Sequence, residues 1–383
     1  MTSNANADSY KMQAHAFFAQ GDFAAAEIVC RSAVIAAPDD AGVHYNLGVV
    51  LAKLERFEEA ITCYRKTIEL NPGFAPAYTN IGFCLSAFNL IARAREAFAI
   101  ARSLEPDNPI PVLNEGIAAL ALGDYAAGWQ GFAARWRLPA YAAFKRDFAK
   151  PVWQGQDISG KTLFLYSEQG FGDTIQMARF VPLLAAQGAK IIIEAQPALT
   201  GLLRSLQGAP HVITKGEAVP DFDFYSAMMD IPGALGTTAN TIPADTPYLF
   251  ADPEQIEFYR NLPLRNTKKR IGLCWAGRAS HENDRNRSLK FAQLAPLLAR
   301  DDIEWISLQR LMPDSDAAGL ATSAVLNWGQ NFADFSATAA AIMALDIVIA
   351  ADTAVAHLAG ALGKPVWVLL PFYADWRWMI DRE

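Results

Sequence analysis

The chain has 383 residues, 52% hydrophobic and 19% charged, which is too long for one ordinary core and too apolar for disorder. A net charge of −7 argues against a nucleic-acid-binding surface, which needs a strong basic excess. The longest apolar stretch, 335–351, is interrupted by Asp346 and reads as a helix followed by a buried strand, not as a membrane span.

In chain order, the opening MTSNANADSY carries neither the basic nor the apolar segment of an export signal, so the expected compartment is the cytoplasm. A period of 34 residues follows: Pro38, Pro72 and Pro106 share one phase, and Gly48, Gly82 and Gly116 another. Ala26, Ala60, Ala94 and Gly128 form a third phase, and Cys30, Tyr64, Phe98 and Phe132 a fourth. Such spacing describes a repeated helix hairpin, with small residues where the helices approach, aromatics filling the space and a proline ending the second helix. NLGVVLAKLERFEEAITCYRKTIELNP resembles the tetratricopeptide (TPR) family, over about residues 7–142 with the fourth copy degenerate. The expected first domain is therefore a TPR α-solenoid at 1–142, followed by a linker at 143–160.

Asn46, Asn80 and Asn114 recur at the same period on the first helix of each repeat, which lines the concave face of such solenoids; Met12 stands there in the first repeat. One reading is an asparagine ladder for the backbone of an extended acceptor peptide, resembling the TPR region of protein O-GlcNAc transferases. The other is that asparagine is simply common at this position. Cys30, Cys63, Cys84 and Cys274 form no CxxC pair and no grouping with histidine, so they read as reduced core residues and no metal is expected.

From Lys161 the periodicity changes. TLFLYS (162–167), KIIIEA (190–195), HVIT and FDFYSA read as strands, separated by QGFGD with a helical run to Gln187 and by PALTGLLRSLQ. After a Pro-rich connection at 231–264, a second series begins: RIGLCW (270–275), IEWISLQ (303–309), AVLNW (324–328), DIVIA (346–350) and PVWVLL (365–370). This alternation predicts two α/β lobes with parallel sheets, whose ligands lie at the carboxyl ends of the strands. The expected lobes are 161–255 on the acceptor side and 256–383 on the donor side.

DIVIA runs into Asp352 and Thr353, either of which can cap the next helix, whose free N–H groups suit a diphosphate. His357 lies one turn after Thr353 on the same face. The loop after RIGLCW holds Gly277, Arg278, Arg285 and Arg287, with Ser288 as the expected cap of a following helix; arginine forks suit phosphate oxygens, although a solvated charged loop would look the same. In SEQGFGDT, Gly170 and Gly172 allow close approach to a ligand, Asp173 starts a helix, and Glu168 stands at the strand end. An ordinary N-cap is the other reading of Asp173.

ADTAVAHLAGALGKPVWVLLP (351–371), after FADFSATAAAIMALDIVIA, resembles the donor-binding segment of heptosyltransferase-like enzymes of the GT-B fold. Together with SEQGFGDTIQMARF, WAGRASHENDRNRSL and PFYADWRW, it is closer still to bacterial TPR-containing glycosyltransferases, a group resembling enzymes proposed to glycosylate flagellin and other proteins. The resemblance implies inverting, metal-independent transfer from a nucleotide-sugar co-substrate to a protein, with no other cofactor. It implies Asp352 at the ribose, Thr353, Ala354 and Val355 at the phosphates, and Arg287 or else Arg278 as the diphosphate clamp. Asp173 matches the catalytic carboxylate, with Glu168 the nearest competing base. QRLMPDSD departs from the basic-Gly-Pro pattern expected after its strand, leaving Gln309 and Arg310 as candidates for base contacts. In PFYADWRW, Asp375 and Arg377 suit a sugar or base, while Trp376 and Trp378 would stack or pack.

The sequence stops at Asp381-Arg382-Glu383, where relatives continue through another strand and a closing helix, so the second lobe is expected to be incomplete, with Trp376, Trp378 and Met379 exposed. Two functional classes stand: a glycosyltransferase acting on a protein held by the repeats, and a non-catalytic TPR adaptor with a degenerate transferase fold. A lipopolysaccharide-type acceptor is a third option.

Overall fold

A computed structural model describes residues 2–264, 269–280 and 283–380, with side chains from residue 9 onward. The chain forms two compact units, Met1–Ala143 with Phe372–Glu383, and Phe144–Pro371. The three final residues, where the sequence stops, lie outside the described residues.

In the first unit, α1 (Thr2–Ala19) pairs with α2 (Phe23–Ala36), α3 (Ala41–Lys53) with α4 (Phe57–Leu70), α5 (Ala75–Ala87) with α6 (Ile91–Leu104), and α7 (Pro109–Ala121) with α8 (Tyr125–Phe132). Each hairpin packs on the next, and Pro38, Pro72 and Pro106 stand just beyond α2, α4 and α6. Side-chain caps begin several of these helices: Asp22 accepts from Ala25 N–H, Asp40 from Gly42, Asn108 from Ile110 and Asp124 from Ala127. The fourth repeat decays as expected, α8 passing into a 3-10 turn at Ala133–Arg137 and then α9 (Pro139–Ala142).

The glycine phase is explained by what faces it. A Cβ on Gly48 would lie 2.6 Å from the Tyr64 ring, and one on Gly82 would lie 2.5 Å from the Phe98 ring. The periodic aromatic of each second helix is thus seated on the periodic glycine of the first. At Gly116 the neighbour is backbone, with Gly131 C and Cα both at 2.7 Å. A ring can tilt, but a backbone cannot. Gly116→Ala should therefore destabilise the helical unit by a net ~2 kcal/mol, overpacking outweighing the gain in helix propensity. Urea unfolding followed by circular dichroism measures this; an unchanged midpoint would mean that α7 and α8 can move apart freely.

The terminal aromatics differ from expectation. Residues 372–380 do not extend the second sheet; they pack on the last helices of the first unit. Trp376 is buried, edge-on to Trp129 at 5.4 Å and to Phe132 at 6.0 Å, and Tyr125 donates its hydroxyl hydrogen to Met379 Sδ at 3.1 Å. Asp375 caps the Trp376–Trp378 turn and pairs with Arg377 at 2.8 Å. Partners close at hand bury Trp376 and leave Trp378 and Met379 half-buried.

The second unit begins with the linker, which is seated on a sheet: Trp153 N–H donates to Tyr225 O, Phe148 packs against Phe164 and Phe222, and Arg146 pairs with buried Glu194. Then come β1 (Thr162–Tyr166), α10 (Phe171–Met177), α11 (Val181–Ala186), β2 (Lys190–Ala195), α12 (Pro197–Leu203), β3 (His211–Thr214) and β4 (Phe224–Ala227). These strands form a parallel sheet of order β3-β2-β1-β4. The connection carries α13 (Ile231–Ala234) and α14 (Pro253–Arg260). A second parallel sheet of order β7-β6-β5-β8-β9 follows. It is built from β5 (Lys269–Cys274), α15 (Asp284–Arg287), α16 (Ala295–Leu298), β6 (Ile303–Ser307), α17 (Asp314–Ala321), β7 (Leu326–Asn327), α18 (Phe335–Met343), β8 (Ile347–Ala351), α19 (Ala354–Ala361) and β9 (Val366–Leu369). AVLNW yields only the two residues of β7. In each sheet the strand order reverses beside the first strand, between β1 and β4 and between β5 and β8, and such switch points open a crevice at the carboxyl ends.

Candidate functional site

The second sheet's crevice is bounded by the loop after β5 and the turn from β8 into α19. Thr353 occupies the N-cap of α19, but its side chain makes no capping hydrogen bond, contrary to the role expected of it. Thr353 Oγ1 instead lies 3.7 Å from Cys274 Sγ. By contrast α14 and α18 are capped by Asp252 and Asp334. The open N-terminus leaves Ala354 and Val355 to offer backbone N–H groups; the Val355 side chain is buried. No helix among the described residues is long and apolar enough to cross a membrane.

Arg287 braces this turn. Its Nη1 donates to the carbonyl of Asp352 at 3.0 Å, and Asp284 lies 3.6 Å from its Nε. Gly277 lies beneath it, where a Cβ would come within 2.6 Å of Arg287 Nη2 and displace the guanidinium. Ser288 is not the cap of a following helix: it ends α15, where its hydroxyl donates to Asp284 Oδ1 and accepts from Gly277 N–H, both at 2.8 Å. Arg278 is exposed, with its guanidinium 5.8 Å from the centre of the Phe171 ring at the start of α10. No spacing in the sequence pointed to Phe171.

The two sheets meet here through α10 and α19. The bare Cα of Gly172 faces the His357 ring, where a Cβ would lie 2.9 Å from Cδ2. Gly172 thus serves the close approach of two helices. Gly170 holds the N-cap of α10 and Asp173 the third helical position, its Oδ2 accepting from Gly170 N–H at 2.9 Å. Asp173 therefore does not start the helix but closes its first turn. Glu168 is buried at the end of β1, with Oε2 accepting from Met229 N–H at 3.4 Å. Of the two candidate bases, Asp173 stands at the meeting of the sheets.

Gln309 has no group left for a base: its amide is bonded to the loop after β5 and to Leu311. Burial pushes the Cys274 thiol up to about 11, so it is no nucleophile at neutral pH. Cys30 and Cys84 are raised in the same way, to about 11 and about 12. In the first unit, Asn46, Asn80 and Asn114 lie half-buried on α3, α5 and α7. Asn80 donates to Tyr45 Oη at 3.2 Å, and Asn114 to Ile110 O at 2.8 Å.

Residues 41–74 match the family description of the tetratricopeptide repeat. The helical unit is a TPR solenoid. Protein FlbA of Caulobacter vibrioides is 25% identical over 372 residues, covering 89% of this chain and 62% of FlbA. The chain therefore spans less than two thirds of that relative's length, and the match reaches past the TPR solenoid into the α/β unit. The Hsp70-Hsp90 organizing protein of Triticum aestivum is 29% identical over 102 residues, 27% of this chain and 18% of that protein. Among solved structures, Pseudomonas aeruginosa PilF matches 37% of this chain and 64% of its own at 22% identity, with a TM-score of 0.34.

Proposed function

We propose that the α/β unit is a glycosyltransferase domain of the GT-B kind, transferring a sugar from a nucleotide-sugar donor to a protein, and that the TPR solenoid holds the acceptor. Flagellin is one acceptor that fits the reading. The observation that carries it is the uncapped N-terminus of α19 at the switch point between β5 and β8, with the Arg287 loop beside it. Unpaired N–H groups and the helix dipole favour an anion there, and Arg287 and Arg278 add charge for the leaving diphosphate. Asp352 contacts the ribose, Thr353, Ala354 and Val355 meet the phosphates, and His357 lines the same helix face.

In this chemistry the acceptor hydroxyl oxygen bonds to the anomeric carbon as the bond from that carbon to the diphosphate oxygen breaks, inverting the centre. Asp173 takes the hydroxyl proton, and the nucleoside diphosphate leaves with the electron pair. Asn46, Asn80 and Asn114 present amides to the backbone of an extended acceptor. One observation favours the alternative of a non-catalytic TPR adaptor: both candidate bases already accept backbone N–H groups.

Calorimetric titration with UDP, GDP, ADP and CMP and their sugar conjugates tests the donor site. Saturable binding of one nucleotide is expected, weakened about tenfold or more in Asp352→Ala, a difference of ~1.4 kcal/mol. Absence of binding at millimolar ligand would leave the adaptor reading.

A further inference from the structure

Gln309 lies just past β6, 4% exposed, with its amide fully engaged. Its Oε1 accepts from the backbone N–H groups of Trp275 and Ala276, each at 3.1 Å. Its Nε2 donates to the carbonyls of Ala276 at 2.9 Å and Leu311 at 2.7 Å. The amide fits one way round only, because turning it would set NH2 against two donors and oxygen against two carbonyls. The backbone beneath is held too: Gln309 N–H donates to Ser307 Oγ, and a Cβ on Gly329 would lie 2.3 Å from the Gln309 carbonyl oxygen.

What the amide grips is the foot of the segment that follows β5. Leu289 N–H donates to Trp275 O at 2.8 Å, which fixes Leu289 beside that foot. Gly277 and Arg278 lie immediately beyond the two residues that Gln309 fixes. Replacing the amide leaves two backbone donors and a carbonyl of this foot without their partner, and buried backbone groups seek new ones at the expense of local geometry.

We infer that Gln309 is the positioning residue of the diphosphate site, setting the loop after β5 so that Gly277 and Arg278 meet a nucleoside diphosphate at the N-terminus of α19. The inference rests on the donor-site reading above. Gln309 touches no ligand; it acts through the loop it holds, as supporting residues around a binding site do.

The test begins with wild-type protein titrated with UDP, GDP and ADP and with the matching free nucleosides. Gln309→Met keeps the volume but bonds nothing, whereas Gln309→Glu keeps the acceptor half of the amide. For the diphosphate that binds wild type, the expected loss is at least tenfold in Gln309→Met and smaller in Gln309→Glu. Affinity for the nucleoside alone should stay within twofold in both, because the loop serves the phosphates. Amide hydrogen exchange over 275–278 should quicken in both variants, a readout that survives if Gln309→Met is too weakened to titrate. Unchanged diphosphate affinity together with unchanged exchange would overturn the assignment. An equal loss for nucleoside and diphosphate would also overturn it, marking a role in the fold alone. If wild type binds none of the diphosphates, the donor-site reading fails before any variant is made, and the positioning role falls with it.

Discussion

Trp376→Ala is expected to lower the stability of the TPR unit by about 3–5 kcal/mol, the usual cost of truncating a large buried aromatic. Trp376 is 8% exposed and lies against both Trp129 and Phe132 of α8, so its removal leaves a cavity lined by rings. The neighbours cannot all collapse into it, because Tyr125 also holds Met379 through its hydroxyl. Urea unfolding with tryptophan emission as the probe measures the loss. Stability within 0.5 kcal/mol of wild type would show that residues 372–380 are a dispensable tail on a self-sufficient fourth repeat.

Asp173→Asn is expected to reduce sugar transfer by about 10²–10⁴-fold, the contribution of a positioned general base. The substitution is nearly isosteric, and the asparagine side-chain oxygen can still accept the Gly170 N–H that closes the first turn of α10. Nucleotide affinity should therefore be retained while turnover falls, which separates a lost base from a damaged helix. Near-normal turnover would clear Asp173 of the role and leave its carboxylate as a structural group.

The TPR half was legible because each repeat meets only its neighbours, so Gly48 and Tyr64, or Gly82 and Phe98, face one another at a spacing that recurs along the chain. The strands were legible for a related reason. Parallel sheets bury both faces, and IIIEA or DIVIA stand out as short apolar runs between helices. What escaped depends on partners far apart in sequence. Trp376 is buried by Trp129 and Phe132, more than two hundred positions earlier, which no local pattern announces. Caps escaped at a finer scale: Thr353 sits at an N-cap position with a capping residue's chemistry, yet its hydroxyl lies beside Cys274, a contact set by β5 and not by α19. Gln309 stood as a candidate for base contacts because the resemblance places such contacts in the loop that it opens. Its bonds to Trp275 and Ala276 appear only once β5 and β6 are paired.

Residues 372–380, seated on α7 and α8, have a consequence for the order in which the protein is made. As the nascent chain leaves the ribosome, Tyr125, Trp129 and Phe132 emerge early, but the segment that covers them is translated only after the whole of Phe144–Pro371. At ~5–20 residues per second, that delay is on the order of ten to fifty seconds. Throughout it, the growing polypeptide carries an unfinished aromatic face at the end of its TPR unit, the kind of surface that holding chaperones engage. The aromatic face of α8 is thus made early and covered late.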